Sequence, residues 1–248
     1  MAYQMVANRN IAAIGISLAL LLRGKLYYSD EIIHITSSAP QYDVSRCIRD
    51  ALDRLSNWAN DWQLQISISK YSIMHIGTMK LNRTFFINTH ALPCNTLCKD
   101  LGITVDNNLT PSPHVATITV TANQRASLIY RMFVSRDIHL LVRAFVTCDV
   151  RPVVEYNTVI WSPFNKCDIE RVEKVQRRFI KWLPGLKDLT YSQRLKVIDL
   201  ESLELRRLYA DLIMCYKIVF GLVNLTFSDF FAFSPIALLL EGTSTKSM

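Results

Sequence analysis

A chain of 248 residues, half of them hydrophobic (50%) and a fifth charged (20%), holds the material for one large core or two modest ones. That excludes disorder over most of its length, along with collagen-like and disulfide-scaffold compositions. The formal charge is +7, from 28 Lys and Arg against 21 Asp and Glu, a surplus that suits a polyanionic partner and says nothing of fold. Glycine is scarce, with 7 residues and no two closer than nine positions. A phosphate cradle needs several glycines within about six residues, so neither a dinucleotide fingerprint nor a P-loop can be written.

In chain order, residues 11–22 read IAAIGISLALLL, an apolar run too short to span a bilayer as a helix. Its length matches a signal peptide, but Arg23 and Lys25 follow at once and no small-x-small cleavage site is evident. Residues 1–24 therefore read as an apolar leader, with a signal or anchor as the alternative. Residues 25–37 predict two short strands, built on Tyr27, Tyr28, Ile32, Ile33 and Ile35, around the acidic turn Ser29-Asp30-Glu31. A helix is expected from Asp43 to Trp62. There Val44, Ile48, Ala51, Leu55, Trp58 and Trp62 recur in steps of four and three and give one stripe to bury. Strands are expected within 64–77, 84–92 and 96–105. From about 111 the chain reads as helical, with Pro152 in a first turn, Pro184-Gly185 as a breaker and Thr190-x-x-Gln193 as a capping box. Residues 223–248 read as a frayed tail. The plan is α+β: a mixed piece at 25–105, then an all-helical piece at 106–222, with a hinge near Asn107-Asn108 and Pro111-Pro113.

Three constellations bear on chemistry. Asp30 and Glu31 are paired carboxylates at a tight turn, a placement that can hold a divalent metal and that also occurs as a plain solvated turn. The segment 168–183 predicts an amphipathic helix capped by Asp168. Ile169, Val172, Val175, Phe179, Trp182 and Leu183 fall in one arc, with Gln176 as the polar exception. Arg171, Lys174, Arg178 and Lys181 fall opposite, with Arg177 at the edge. Such a stripe can track a phosphate backbone or simply face solvent. Between 169 and 196 stand eight basic and three acidic residues, most of the chain's surplus. The six cysteines (47, 94, 98, 148, 167 and 215) form no four-ligand pattern and are expected as reduced, buried thiols of an intracellular protein. The five histidines form no metalloprotease motif, and no G-x-S-x-G is present.

The order of the motifs is more specific than any one of them. Lys25-Leu26-Tyr27-Tyr28-Ser29-Asp30-Glu31 is followed by Leu55-Ser56-Asn57-Trp58, Ile66-x-x-x-Lys70, Met74-His75-Ile76-Gly77, Lys99-Asp100-Leu101-Gly102-Ile103 and His114. Then come Arg151-Pro152-Val153-Val154-Glu155-Tyr156, Trp161-Ser162-Pro163, Glu173-Lys174-Val175-Gln176-Arg177-Arg178-Phe179, Leu183-Pro184-Gly185-Leu186, Tyr191-x-x-Arg194-Leu195 and Leu203-Glu204-x-Arg206-Arg207. Over about 25–222 this series resembles the downstream half of reverse transcriptases from non-LTR retrotransposons of the jockey and CR1 kind.

The resemblance implies a partial palm at 25–105 and a thumb with a helical extension at 106–222. It implies Mg²⁺-dependent DNA synthesis, with an RNA template and a DNA primer as partners and no small-molecule cofactor. Carried over by residue, Asp30 and Glu31 match the hairpin carboxylates that hold metal, Glu31 standing where the family has Asp. Lys70 matches the lysine that protonates leaving pyrophosphate. Lys99 lies in the turn beside the primer, and Arg171, Lys174, Arg177, Arg178 and Lys181 are the expected nucleic-acid contacts. The family's other metal-binding Asp and its fingers lie upstream of the hairpin, and the 29 residues before Asp30 hold no Asp. The expectation is thus a truncated copy, inactive as an isolated chain and intracellular, in cytoplasm or nucleus. The alternatives are a noncatalytic nucleic-acid-binding remnant and a secreted or membrane protein defined by 11–22.

Overall fold

The computed structural model describes residues 27–29, 32–34, 44–68, 71–76 and 84–231. The leader 1–24 and everything after 231 lie outside them. Contacts divide the chain into two units, one of Ser17–His114 and one that takes in Val115–Met248. The expected boundary at 105/106 stands nine residues earlier, before the helix that the division cuts.

In the first unit, β1 (Tyr27–Ser29) and β2 (Ile32–His34) pair antiparallel, with Ser29 opposite Ile32. The helix α1 (Val44–Asp61) follows. Its buried face carries Leu52, Ser56 and Ala59, one stripe at steps of four and three. The expected stripe is corrected here: Leu55 is half-buried, and Trp58 and Trp62 are 52% and 69% exposed. Ser56 enters the interior because its Oγ donates to the Leu52 carbonyl at 2.9 Å, which leaves no polar atom unsatisfied. The helix is thereby turned so that the tryptophans face outward.

Leu52 packs with Phe85, Ile87 and Leu92 around the hairpin of β3 (Phe86–Ile87) and β4 (His90–Ala91). Ile66, Ile68, Tyr71 and Ile73 lie against this core. Among the described residues of 64–77 no strand forms, and only an isolated bridge joins Ile73 to Cys94. The alternating apolar residues there pack without a ladder partner. β5 (Leu97–Asp100) and β6 (Ile103–Asp106) make the third hairpin. The described strands are three separate pairs, where one small sheet was expected.

The β5–β6 turn places Leu101 and Gly102 at φ 44° and 87°. Positive φ at both central residues is the twist-matched hairpin geometry, and glycine meets it without steric cost at the second position. Leu101 meets it at a cost while its side chain is 69% exposed. Leu101→Asn is therefore expected to raise stability by about 1 kcal/mol, read as a higher urea midpoint at unchanged slope. A lowered midpoint would mean that the leucine side chain contributes more than its backbone strain costs.

After β6, Asp106 accepts from both the amide and the hydroxyl of Thr110, which turns the chain into α2 (Ser112–Met132). His114, buried near the start of α2, accepts the Thr104 amide on Nδ1 at 3.1 Å. Burial holds its pKa below the ordinary histidine value, and Lys99 adds to that.

The second unit is helical, as the sequence predicts beyond 111. α2 buries Val115, Ile118, Ala122, Ala126 and Ile129 along one stripe. α3 (Ile138–Ala144), capped by Asp137, runs into a π-helical turn at Phe145–Asp149. Next come α4 (Arg151–Glu155) with Pro152 in its first turn, and α5 (Thr158–Trp161). Then follow α6 (Lys166–Lys181), α7 (Tyr191–Val197), α8 (Leu203–Val219) and the short α9 (Phe227–Phe230). The centre is Leu141, Phe145, Val154, Val175, Phe179 and Ile180, all nearly inaccessible to solvent, with Phe145 and Phe179 stacked at 4.4 Å.

The N-cap of α6 is Asn165 rather than Asp168, which sits buried in the first turn, 3.2 Å from Arg171. Gly185, at φ +74°, follows the end of α6, and Thr190 and Gln193 form the expected capping box. No helix among the described residues is long and apolar enough to cross a membrane. The expectation of buried thiols is also corrected: Cys94 and Cys167 are exposed, Cys98 and Cys215 half-buried, all as free thiols. Cys94 lies at the surface bridge to Ile73, and Cys167 in the solvent-facing first turn of α6.

Candidate nucleic-acid interface

The amphipathic helix expected at 168–183 is α6, and its inner face is more polar than hydropathy implies. Glu173 is buried and works as a cap for another helix. Its carboxylate accepts the first amides of α8, from Leu203 at 3.2 Å and Glu204 at 3.0 Å, and a hydrogen bond from the Tyr191 hydroxyl. Ser202 accepts the Leu205 amide and completes the cap of α8. Gln176, the polar exception of the sequence, is fully buried. Its Nε2 donates to the Glu201 carbonyl at 2.9 Å and to Tyr191 Oη at 3.2 Å. Burial, with the hydrogen bond to Glu173 next, pushes the Tyr191 hydroxyl well above the ordinary tyrosine range, so it stays a donor.

Around this centre the remaining charged motif residues tie helices together. Arg194 donates to the carbonyls of Leu189 and Arg177, fastening α7 to α6. Arg206 of α8 grips both oxygens of Glu155 in α4, and Arg151 Nε lies 3.0 Å from the same carboxylate. Bidentate pairing of this kind fixes geometry as well as charge. Arg207 is buried, and neither of its terminal nitrogens makes a hydrogen bond to the described residues. Burial lowers its pKa, while Glu173, Glu204, Asp211 and Glu155 act in the opposite direction. Asp211, one turn on, is pushed up to about 6 by burial, against a hydrogen bond from Ser162 and the charge of Arg207.

The outer face of α6 is the expected basic one. Arg171, Lys174, Arg178 and Lys181 are all exposed, in steps of three and four. Two of the expected contacts have partners in the fold. Arg171 pairs with buried Asp168, and Arg177 pairs with Glu170 at 3.1 Å while its guanidinium lies 4.9 Å from the Tyr191 ring. Among the described residues no carboxylate pairs with Lys174, Arg178 or Lys181. Because buried Arg194 and buried Glu173 cancel, the surplus of the 169–196 segment remains on its surface.

Trp182, expected as buried, is half-buried at the end of α6. It meets Tyr130 of α2, with ring centroids 5.7 Å apart and planes at 53°. Ser127, Tyr130, Arg131 and Trp182 line an open cleft of about 230 Å³. The Arg178 guanidinium lies 5.1 Å from the Trp182 ring, and that of Arg136 lies 4.3 Å from the Tyr130 ring. Sequence reasoning missed Tyr130, Arg131 and Arg136. The available signal was an aromatic with basic residues one and six places on, in Tyr130-Arg131 through Arg136.

The other expected site residues fall elsewhere. Lys99 is exposed on β5 of the first unit, opposite Thr104. Asp30, Glu31 and Lys70 lie outside the described residues. Among the described residues no three His, Cys, Asp or Glu side chains converge to hold a metal ion.

The chain carries a region similar to transposon-encoded RNA-directed DNA polymerases. It is 27% identical over 162 residues to the probable RNA-directed DNA polymerase from transposon BS of Drosophila melanogaster, covering 62% of this chain and 18% of that protein. It is 25% identical over 163 residues to the probable RNA-directed DNA polymerase from transposon X-element of the same organism, covering 64% of this chain and 18% of that one. The match thus spans less than a fifth of the length of these curated relatives. No protein-family model matches the chain, and no solved structure does.

Proposed function

We propose that this chain is the palm-to-thumb part of a non-LTR retrotransposon reverse transcriptase of the jockey or CR1 kind, and that its helical unit holds the template and primer. The observation that carries the reading is the row Lys174, Arg178 and Lys181. Three exposed cations without carboxylate partners stand on one face of a helix whose opposite face is fixed by Glu173 and Gln176. A rigid cationic row can follow successive phosphates with little ordering cost. The similarity to two transposon polymerases supports RNA and DNA as the polyanions. On this reading β1 and β2 are the hairpin of the palm, and Asp30, Glu31 and Lys70 are its catalytic groups, the two carboxylates being the Mg²⁺ ligands.

The test is salt-dependent binding of an RNA–DNA hybrid by the full chain, with Lys174, Arg178 and Lys181 changed together to Gln. Arg171 is spared, because it also pairs with buried Asp168 inside the fold. Affinity is expected to fall about tenfold or more on every sequence, and the slope of log K against log salt to shrink by about 2. An unchanged slope would mean that the row is only a solvated face and would overturn the reading.

A further inference from the structure

The cleft at the end of α6 has chemistry of its own. Tyr130 and Trp182 line it together with Ser127 and Arg131. Arg136 and Arg178 are held against those rings by cation–π contact, at 4.3 and 5.1 Å. Among the described residues no carboxylate lines it. A purely apolar partner would meet the Arg131 guanidinium in the lining, with Arg136 and Arg178 on the two rings, and among the described residues none of the three has a carboxylate partner. A paired duplex would find aromatic walls that its stacked bases cannot reach. The chemistry that satisfies walls and rim together is a planar heterocycle flanked by phosphates. Arg178 belongs both to this rim and to the cationic row on α6, so a strand laid along the row arrives at the cleft.

We infer that the Tyr130–Trp182 cleft is a stacking site for one unpaired base of a single-stranded nucleic acid, with Arg131, Arg136 and Arg178 on the adjoining phosphates. This rests on the nucleic-acid reading of α6 and adds to it a role for the base, where the row by itself sees only the backbone. Base stacking on an aromatic side chain is tolerant of sequence, so the site would take any base that leaves its duplex.

The experiment compares two fluorescein-labelled oligomers of equal length and charge, one an oligothymidylate and one built wholly of abasic sugar-phosphate units. The full chain is expected to bind the base-bearing strand about tenfold more tightly than the abasic one. Trp182→Leu should bring the two affinities together while leaving the salt slope in place. Ser127→Leu, which fills the cleft and leaves both rings in place, should do the same. Trp182→Phe should keep most of the preference. Equal affinity of the unaltered chain for the two strands, with a normal salt slope, would overturn the stacking site and leave the cationic row standing. Salt-independent or absent binding of both strands would overturn the row and the cleft together.

Discussion

Glu173→Ala is expected to destabilise the helical unit by about 3–5 kcal/mol. One carboxylate accepts the Leu203 and Glu204 amides and the Tyr191 hydroxyl. Its removal orphans all three donors, the Leu203 amide in a buried position and the other two in partly buried ones. It also takes away a negative charge that favours the ionised form of buried Arg207. Each orphaned group costs about 1–3 kcal/mol, and loss of the compensating charge lies in the same direction, so partial relaxation still leaves a large effect. Glu173→Gln keeps an acceptor of the same shape and should cost distinctly less. Urea unfolding followed by circular dichroism at 222 nm, which reports chiefly on this helical unit, measures both. A loss below about 1 kcal/mol for the alanine variant would show that the three donors find other partners.

Phe179→Ala should cost a comparable amount, about 3–5 kcal/mol, by a different route. The ring is 1% exposed and stacks on Phe145 at 4.4 Å with an interplanar angle of 23°. Val175, Ile180 and Leu183 of the same segment are as deeply buried. Truncation removes the transfer energy of the ring and leaves a void that rigid helices close only in part. Phe179→Leu retains most of the volume and should lose well under half as much. If the two variants were equally destabilised, the loss would come from the stacking geometry with Phe145 rather than from the cavity. The same unfolding curves decide this.

What the sequence makes legible here is whatever depends on near neighbours. The hairpin pattern around Ser29 and Ile32, the Thr190–Gln193 box, the Pro184-Gly185 break and Pro152 in a first turn are all local chemistry, and each stands where its residues place it. The stripe of α1 fails because hydropathy ranks Trp58 above Ser56. Burial instead follows Ser56, whose hydroxyl is satisfied within its own helix. The N-cap of α6 fails because Asp168 and Asn165 are both good capping types, and Asp168 is buried against Arg171 three residues on. Charge counting misleads in a similar way. Arg194 enters the basic surplus counted over 169–196, yet it is buried, as are the motif residues Arg151 and Arg207. Only the pairing of distant segments, such as Glu155 with Arg206, separates a structural arginine from one offered to a ligand. The Tyr130–Trp182 cleft belongs to the same class, since its two rings are brought together by packing and not by any spacing along the chain.

The cap that Glu173 provides has a consequence for the order of events in folding. The first amides of α8 are satisfied by a side chain thirty positions upstream, so that helix end cannot be completed by its own sequence, and Ser202 accounts for only one of its donors. An isolated segment beginning at Leu203 would enter its first turn with amides open to water and a nucleus too costly to hold. α8 and α6 therefore gain and lose structure as one cooperative unit, with Tyr191 and Gln176 joined to it through the same carboxylate and hydroxyl. A chain interrupted between 181 and 203 would leave α8 held by non-covalent contacts, the Glu173 cap and the Arg206–Glu155 pair among them.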